Sequence, residues 1–285
     1  MQVKTQPFVA TPEPQVVATP EPQAAVVVAQ PAPAPRLSLI VPAYNEGRRL
    51  GRSLAAMSAF FRAAGFRYEI LVVDDGSTDD TAAIIAAAAA ADPALRAAGY
   101  GANRGKGHAV RTGMLAARGE YLMFTDADLS IPLAITADFL DALRGDYDIA
   151  IASRWHPGSK NAVPPPPARR AMGAIFRWCV RRLVISDVRD TQCGCKAYRA
   201  EAARYLFSRS RIDRFSFDAE VIFLAARAGY RIKEVPFVLH YSPGSSVRPL
   251  RDSLLMLRDL ARIRLNALRG VYGRAGIGTL ARRAG

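Results

Sequence analysis

Between residues 37 and 153, short apolar runs alternate with segments of helical periodicity, and several of those runs end on a carboxylate. This alternation constrains the fold more than any other feature. The stretches "LSLIVPAY" (37–44), "YEILVVDD" (68–75), a short run near 97–101, "EYLMFTD" (120–126) and "YDIAIAS" (147–153) read as strands. Residues 48–65, 77–92, 106–117 and about 132–144 read as helices between them. Gly65 stops the first, and a Ser/Thr/Asp cluster suited to capping free N–H groups opens the second. Strands that are apolar almost throughout, each followed by a helix, predict an α/β fold with a mostly parallel sheet covered on both faces. Half of the 285 residues are apolar, which suffices for one large domain or two small ones.

On either side of that region the texture changes. Residues 1–36 are rich in Pro, Ala, Val and Gln, with "VATPEPQ" at 9–15 and again at 17–23. Such a segment cannot maintain a hydrogen-bonded ladder and lacks large apolar side chains, so a disordered tail is expected. After Arg154, the four consecutive prolines within 156–167 demand a loop. A basic amphipathic helix over 168–185 follows, then helices near 200–208 and 216–228, a strand over 231–239, and a long helix over 249–270 ending at Gly270. The expected organisation is a tail (1–36), an α/β domain (37–248) and a basic amphipathic C-terminal helix with its own tail (249–285).

The net charge of +14 is concentrated in two segments. Residues 168–185 carry five arginines and no acid, and residues 248–285 carry nine arginines against Asp252 and Asp259. An anionic partner is therefore expected: nucleic acid, a phosphorylated substrate or an anionic membrane surface. No nucleic-acid-binding motif or aromatic platform accompanies the basic patches, which argues against nucleic acid. No apolar run approaches the length of a membrane span, and the N-terminus lacks a secretory pattern. Cys179, Cys193 and Cys195 match neither a zinc spacing nor a disulfide framework, which fits a reducing cytosol.

The polar residues that carry chemistry sit at the carboxyl ends of the strands, where parallel α/β sheets bind ligands. Tyr44, Asn45 and Glu46 follow the first strand, Asp74 and Asp75 end the second, Asp126 and Asp128 end the fourth, and Ser153 and Arg154 follow the fifth. Each cluster alone is explained by a turn or a cap. Four on one edge converge on one crevice. "NRGKGHAVRTG" (103–113) adds a glycine-rich loop before a helix, with Lys106 and Arg111 at a helix start that favours anions. Its spacing fits neither a Walker loop nor a dinucleotide fingerprint.

Taken in order, "VPAYNEG", "VVDDGSTDDT", "NRGKGHAVRTG" and "FTDADLS" resemble the inverting glycosyltransferases of family 2, with their Rossmann-like, nucleotide-sugar-binding GT-A fold. The later "ASRWH", "RDTQCGCKAYR", "FSFDAEVIFLA" and "IKEVPF" are similar to the dolichyl- and polyprenyl-phosphate glucosyltransferase branch. The resemblance implies that Pro42, Tyr44, Glu46, Val73 and Asp75 hold the uridine. It makes Asp126-Ala127-Asp128 the family's D-x-D motif, coordinating Mg²⁺ or Mn²⁺ against the donor diphosphate. It puts Lys106 and Arg154 near that diphosphate or the acceptor phosphate, and Asp190 and Asp218 near the acceptor.

Two departures stand out: "PGSSVRP" has Ser246 where the family has a lysine, leaving Arg248 to meet the acceptor phosphate, and Cys195 replaces an aromatic residue. The implied activity is transfer of a hexose, glucose from UDP-glucose, to a polyprenyl phosphate by a protein peripheral to the cytoplasmic face of a membrane. The alternative is a soluble family 2 enzyme acting on a hydroxyl acceptor, for which Asp218 is the candidate base.

Overall fold

The computed structural model describes residues 34–161, 167–185, 187–239 and 249–273. Residues 1–33 of the expected tail, together with Ser246 and Arg248, lie outside the described residues. Seven strands form one sheet in the order β3-β2-β1-β4-β7-β5-β8. The first four are β1 (Leu37–Ala43), β2 (Tyr68–Asp74), β3 (Leu95–Gly99) and β4 (Tyr121–Thr125), all parallel. The helices α1 (Leu50–Ala63), α2 (Thr81–Ala91) and α3 (Lys106–Ala116) connect them in turn. α4 (Ile135–Arg144) leads to β5 (Ile149–Ala152).

The apolar continuity of the strands arises because each face of the sheet has its own core. On β1, Leu37, Leu39 and Val41 pack toward α1 and α4, while Ile40 packs toward α3. On β2, Ile70 and Val72 take the first side and Leu71 and Val73 the second. This is the period-two alternation of a strand with both faces buried. α1 buries Leu50, Leu54, Met57 and Phe61, a stripe at helical spacing, against the first core.

Three features differ from the sequence reading. A short strand, β7 (Cys195–Arg199), follows α5 (Pro167–Leu183) and runs antiparallel between β4 and β5. The strand expected over 231–239 is split around Pro236 into β8 (Ile232–Val235), parallel to β5, and β9 (Val238–Leu239). β9 pairs with β6 (Lys160–Asn161), a two-residue strand inside the expected 156–167 loop. The start of α7 (Phe217–Arg227) is buried: Asp218 is 4% and Glu220 0% exposed. α6 (Ala200–Arg209) and α8 (Pro249–Leu268) enclose that region. Leu260 and Ile263 of α8 join the core shared with α3, α6 and α7, and Tyr272 donates a 2.7 Å hydrogen bond to Glu220. Glu220 also accepts the Arg211 and Ile212 N–H groups at 2.8 Å, so its carboxylate ties α8 to α7.

Candidate active site

The crevice lies along the carboxyl ends of β1, β2 and β4, and its first wall is made of interlocked loops. Asn45, at φ 53°, donates its N–H to Ser77 Oγ (3.0 Å), and its side-chain oxygen accepts the Thr78 N–H (2.9 Å). Glu46 N–H reaches Thr81 Oγ1 at 2.8 Å, and Gly47 N–H reaches Asp79. The Ser/Thr/Asp cluster before α2 therefore serves chiefly to lock the β1 and β2 exits together. Tyr44 remains 42% exposed at the mouth, Pro42 is half-buried opposite Val73, and Glu46 is ion-paired with Arg49. Val73 is fully buried beneath α3 and stands behind the crevice rather than lining it.

Asp75 organises the next wall. Its buried carboxylate accepts the Tyr100 hydroxyl (2.7 Å), the Asn103 amide (2.9 Å) and the backbone N–H groups of Arg104 (2.8 Å) and Gly105 (2.9 Å). The anion at the loop before α3 is thus this side chain. The glycines of that loop admit close packing instead of a phosphate: a Cβ on Gly107 would lie 2.6 Å from Phe217 Cβ and 2.7 Å from the Ile212 carbonyl. Arg111 is also committed elsewhere, pairing with Asp213 at 2.5 Å beside His108.

At the β4 exit the charges concentrate. Lys106, the first residue of α3, places Nζ 2.5 Å from Asp126 Oδ1. Burial pulls the Lys106 ammonium down, but the carboxylates of Asp126, Asp218 and Asp128 outweigh it and hold the group above its ordinary value. Asp128 accepts the Ser130 N–H at 3.0 Å, and Ala127 between the two acids is buried. The other side of Asp126 rests on Gly194, where a Cβ would come within 2.1 Å of Oδ2. Arg49 looks onto the same pair. Its Glu46 hydrogen bond chiefly, with the fields of Asp128 and Asp126, raises it against burial.

Beneath these lies a residue that sequence reasoning missed. Lys196 on β7 is 0% exposed; its ammonium pairs with Asp218 and donates to the Cys193 carbonyl at 2.6 Å. Burial pushes the Asp218 carboxyl up, and Lys196 and Lys106 offset only part of that. A buried charge with no partner costs several kcal/mol, so the pair forms a neutral unit whose members depend on each other. The signal was present in "CGCKAYR", a lysine amid residues that strand pairing buries. Cys195, opposite Thr125 in the β4–β7 register, is buried under the β4 exit.

Arg154 and Asp190 form a second unit. Arg154 donates its N–H (3.0 Å), Nε (2.7 Å) and Nη2 (2.8 Å) to the Asp190 carboxylate, which is 3% exposed. Burial would raise the Asp190 carboxyl, yet the facing guanidinium holds it below the usual range. Asp190 is therefore a positioner of Arg154 and has no free oxygen pair for proton abstraction. Next in sequence, Trp155 carries the Arg177 guanidinium of α5 3.7 Å over its ring.

The donor set suits a hard divalent cation. Among the described residues no group of three or more His, Cys, Asp or Glu encloses an ion. Asp126 and Asp128 offer two carboxylates on one strand exit, the incomplete oxygen set that Mg²⁺ or Mn²⁺ completes with phosphate oxygens and water. Charge balance agrees. Asp126, Asp128, Asp190 and Asp218 face Lys106, Arg154 and Lys196, an excess of one negative charge. A diphosphate adds to that excess, and a divalent cation offsets it.

Parallel strands with a D-x-D pair at the exit of β4, and an antiparallel strand beside it, define a nucleotide-sugar-binding GT-A fold. Residues 38–207 match the family described as Glycosyl transferase family 2, and the chain belongs to that family. It is 36% identical to a dolichyl-phosphate beta-glucosyltransferase of Drosophila melanogaster, covering 86% of this chain and 79% of the relative. With the enzyme of the same name from Dictyostelium discoideum it shares 34% identity, over 83% of this chain and 76% of that one. Among solved structures, glucosyl-3-phosphoglycerate synthase from Mycobacterium tuberculosis, in complex with Mn²⁺, UDP-glucose and phosphoglyceric acid, has the same fold (TM-score 0.61, 18% identity, 81% of this chain and 79% of that chain).

Proposed function

We propose that this protein is an inverting transferase that moves glucose from UDP-glucose to the phosphate of a polyprenyl or dolichyl phosphate. The observation that carries the reading is the likeness to dolichyl-phosphate beta-glucosyltransferases over more than four-fifths of the chain. In this reading Pro42, Tyr44 and Glu46 border the uridine, and Asp75 fixes the loop that closes over it. Asp126 and Asp128 would hold Mg²⁺ or Mn²⁺. A bound divalent cation neutralises charge on the departing diphosphate. Lys106 adds a second positive charge on the same side.

An acceptor oxygen attacks the anomeric carbon from the face opposite the diphosphate, so one C–O bond forms as the other breaks and the configuration inverts. A phosphate monoester has its second pKa near about 6 and arrives largely ionised, so it needs positioning more than deprotonation. Arg154, held rigid by Asp190, and the neighbouring Arg177 supply that positioning. Arg248 stays an acceptor-phosphate candidate outside the described residues. Asp218, locked to Lys196, acts as a fixed wall of the site instead of a base. Metal dependence belongs to the same proposal, as does a peripheral position on the cytoplasmic face of a membrane. No helix among the described residues is long and apolar enough to cross one.

The test is a donor screen: purified protein, UDP- and GDP-sugars, Mn²⁺ and a short polyprenyl phosphate. The expected product is glucosyl lipid from UDP-glucose, lost with EDTA and with Asp128→Ala. Metal-dependent hydrolysis of UDP-glucose with no lipid product would overturn the acceptor and point to a soluble hydroxyl acceptor.

A further inference from the structure

Lys106 pairs with one oxygen of a carboxylate that the proposed function gives to the divalent cation. Nζ sits 2.5 Å from Asp126 Oδ1, and both side chains are only partly exposed, 22% and 39%. On its other side Asp126 rests against Gly194, where an added Cβ would lie 2.1 Å from Oδ2. The lysine backbone is equally fixed. Asp75 binds the Gly105 N–H just before it, and Gly107 just after it packs on Phe217 and the Ile212 carbonyl. The ammonium therefore relocates only by rotating its own side chain, and it does so within the fields of Asp218 and Asp128.

We propose that Lys106 is a tethered counter-cation that makes metal binding and nucleotide binding interdependent. While it pairs with Asp126, the ammonium shares that carboxylate and sets a repelling positive charge beside the metal site. A diphosphate gives the ammonium a second anion to pair with, which releases Asp126 to the metal. Each ligand then tightens the other by the same factor, as linkage requires. The inference rests on the placement of the metal at Asp126 and Asp128 in the proposed function.

The experiment is Mn²⁺ binding to the full chain, followed by the electron paramagnetic resonance signal of free Mn²⁺, with and without UDP. Wild type is expected to bind Mn²⁺ weakly alone and much more tightly with UDP. Lys106→Met is expected to bind Mn²⁺ alone about tenfold more tightly, with the UDP enhancement reduced by a similar factor. Lys106→Gln provides a second neutral variant should the methionine variant fold poorly. Neutral variants that bind Mn²⁺ alone no more tightly than wild type would overturn the proposal while leaving the metal site intact. If Asp128→Asn leaves Mn²⁺ binding unchanged in every background, the metal placement itself is wrong and the inference fails with it.

Discussion

At the scale of single residues, the site is built from side chains that immobilise one another. Asp75 orders the loop before α3, Asp190 orders Arg154, and Lys196 neutralises Asp218. Gly194 is the most exposing test of this reading, since it makes no polar contact of its own and matters only through the space it leaves for Asp126. Gly194→Ala is expected to retain the fold and lose transfer by about 100-fold or more, because displacing a reacting group by roughly 1 Å costs that much. Steady-state kinetics alongside a thermal melt checks this. A variant with unchanged kcat would mean that the position of Asp126 is not critical.

Among the elements, the strand exits that position the donor edge were readable because the alternation of apolar strands and helices places their last residues along one line. Asp126, Asp128, Asp75 and Tyr44 all fell where that line predicts. Lys196 did not, since β7 is short, antiparallel and inserted between β4 and β5 after an intervening helix, and only strand pairing shows that its lysine is buried. Arg111 was misread for a related reason: the partner that neutralises it, Asp213, is distant in sequence. At the opposite end of the sheet, Glu69 fastens the strands. It accepts Ser38 Oγ (2.6 Å), the Arg118 N–H (2.7 Å) and Arg96 (2.8 Å).

Burial pushes the Glu69 carboxyl up, but these hydrogen bonds outweigh it and leave the group below its ordinary value. A folded-state pKa below the unfolded one contributes stability that is present above the unfolded pKa, near about 4.3, and is lost as pH falls through the folded value. Glu69→Gln is expected to lower stability by about 3 kcal/mol at neutral pH, because it leaves buried donors without a charged partner. The gap between variant and wild type should close as pH falls below about 4. Melting temperatures across that range check the sign, and a gap independent of pH would show that the carboxylate charge contributes nothing.

For the molecule as a whole, the basic segments are both structural and exposed. α8 buries Leu260 and Ile263 in the core yet leaves Leu265 and Leu268 in solvent, and α5 exposes Ile175, Trp178 and Leu183 beside Arg181 and Arg182. α5 also carries Arg177 to the side of Arg154, so the anionic membrane surface proposed above would meet the molecule beside that arginine. Each arginine near such a surface contributes about 1 kcal/mol. Flotation with phosphatidylglycerol-containing vesicles at low salt is expected to carry the protein upward, and neutral vesicles are not. Failure to float with anionic vesicles would assign these arginines to solvation alone.

The most direct test of the central claim compares two acceptors that differ only in their head group. Initial rates would be measured with UDP-glucose, Mn²⁺ and either a polyprenyl phosphate or the matching polyprenol. With Asp218 paired to Lys196, the expected result is glucosyl lipid from the phosphate alone. Equal or faster transfer to the alcohol would contradict it.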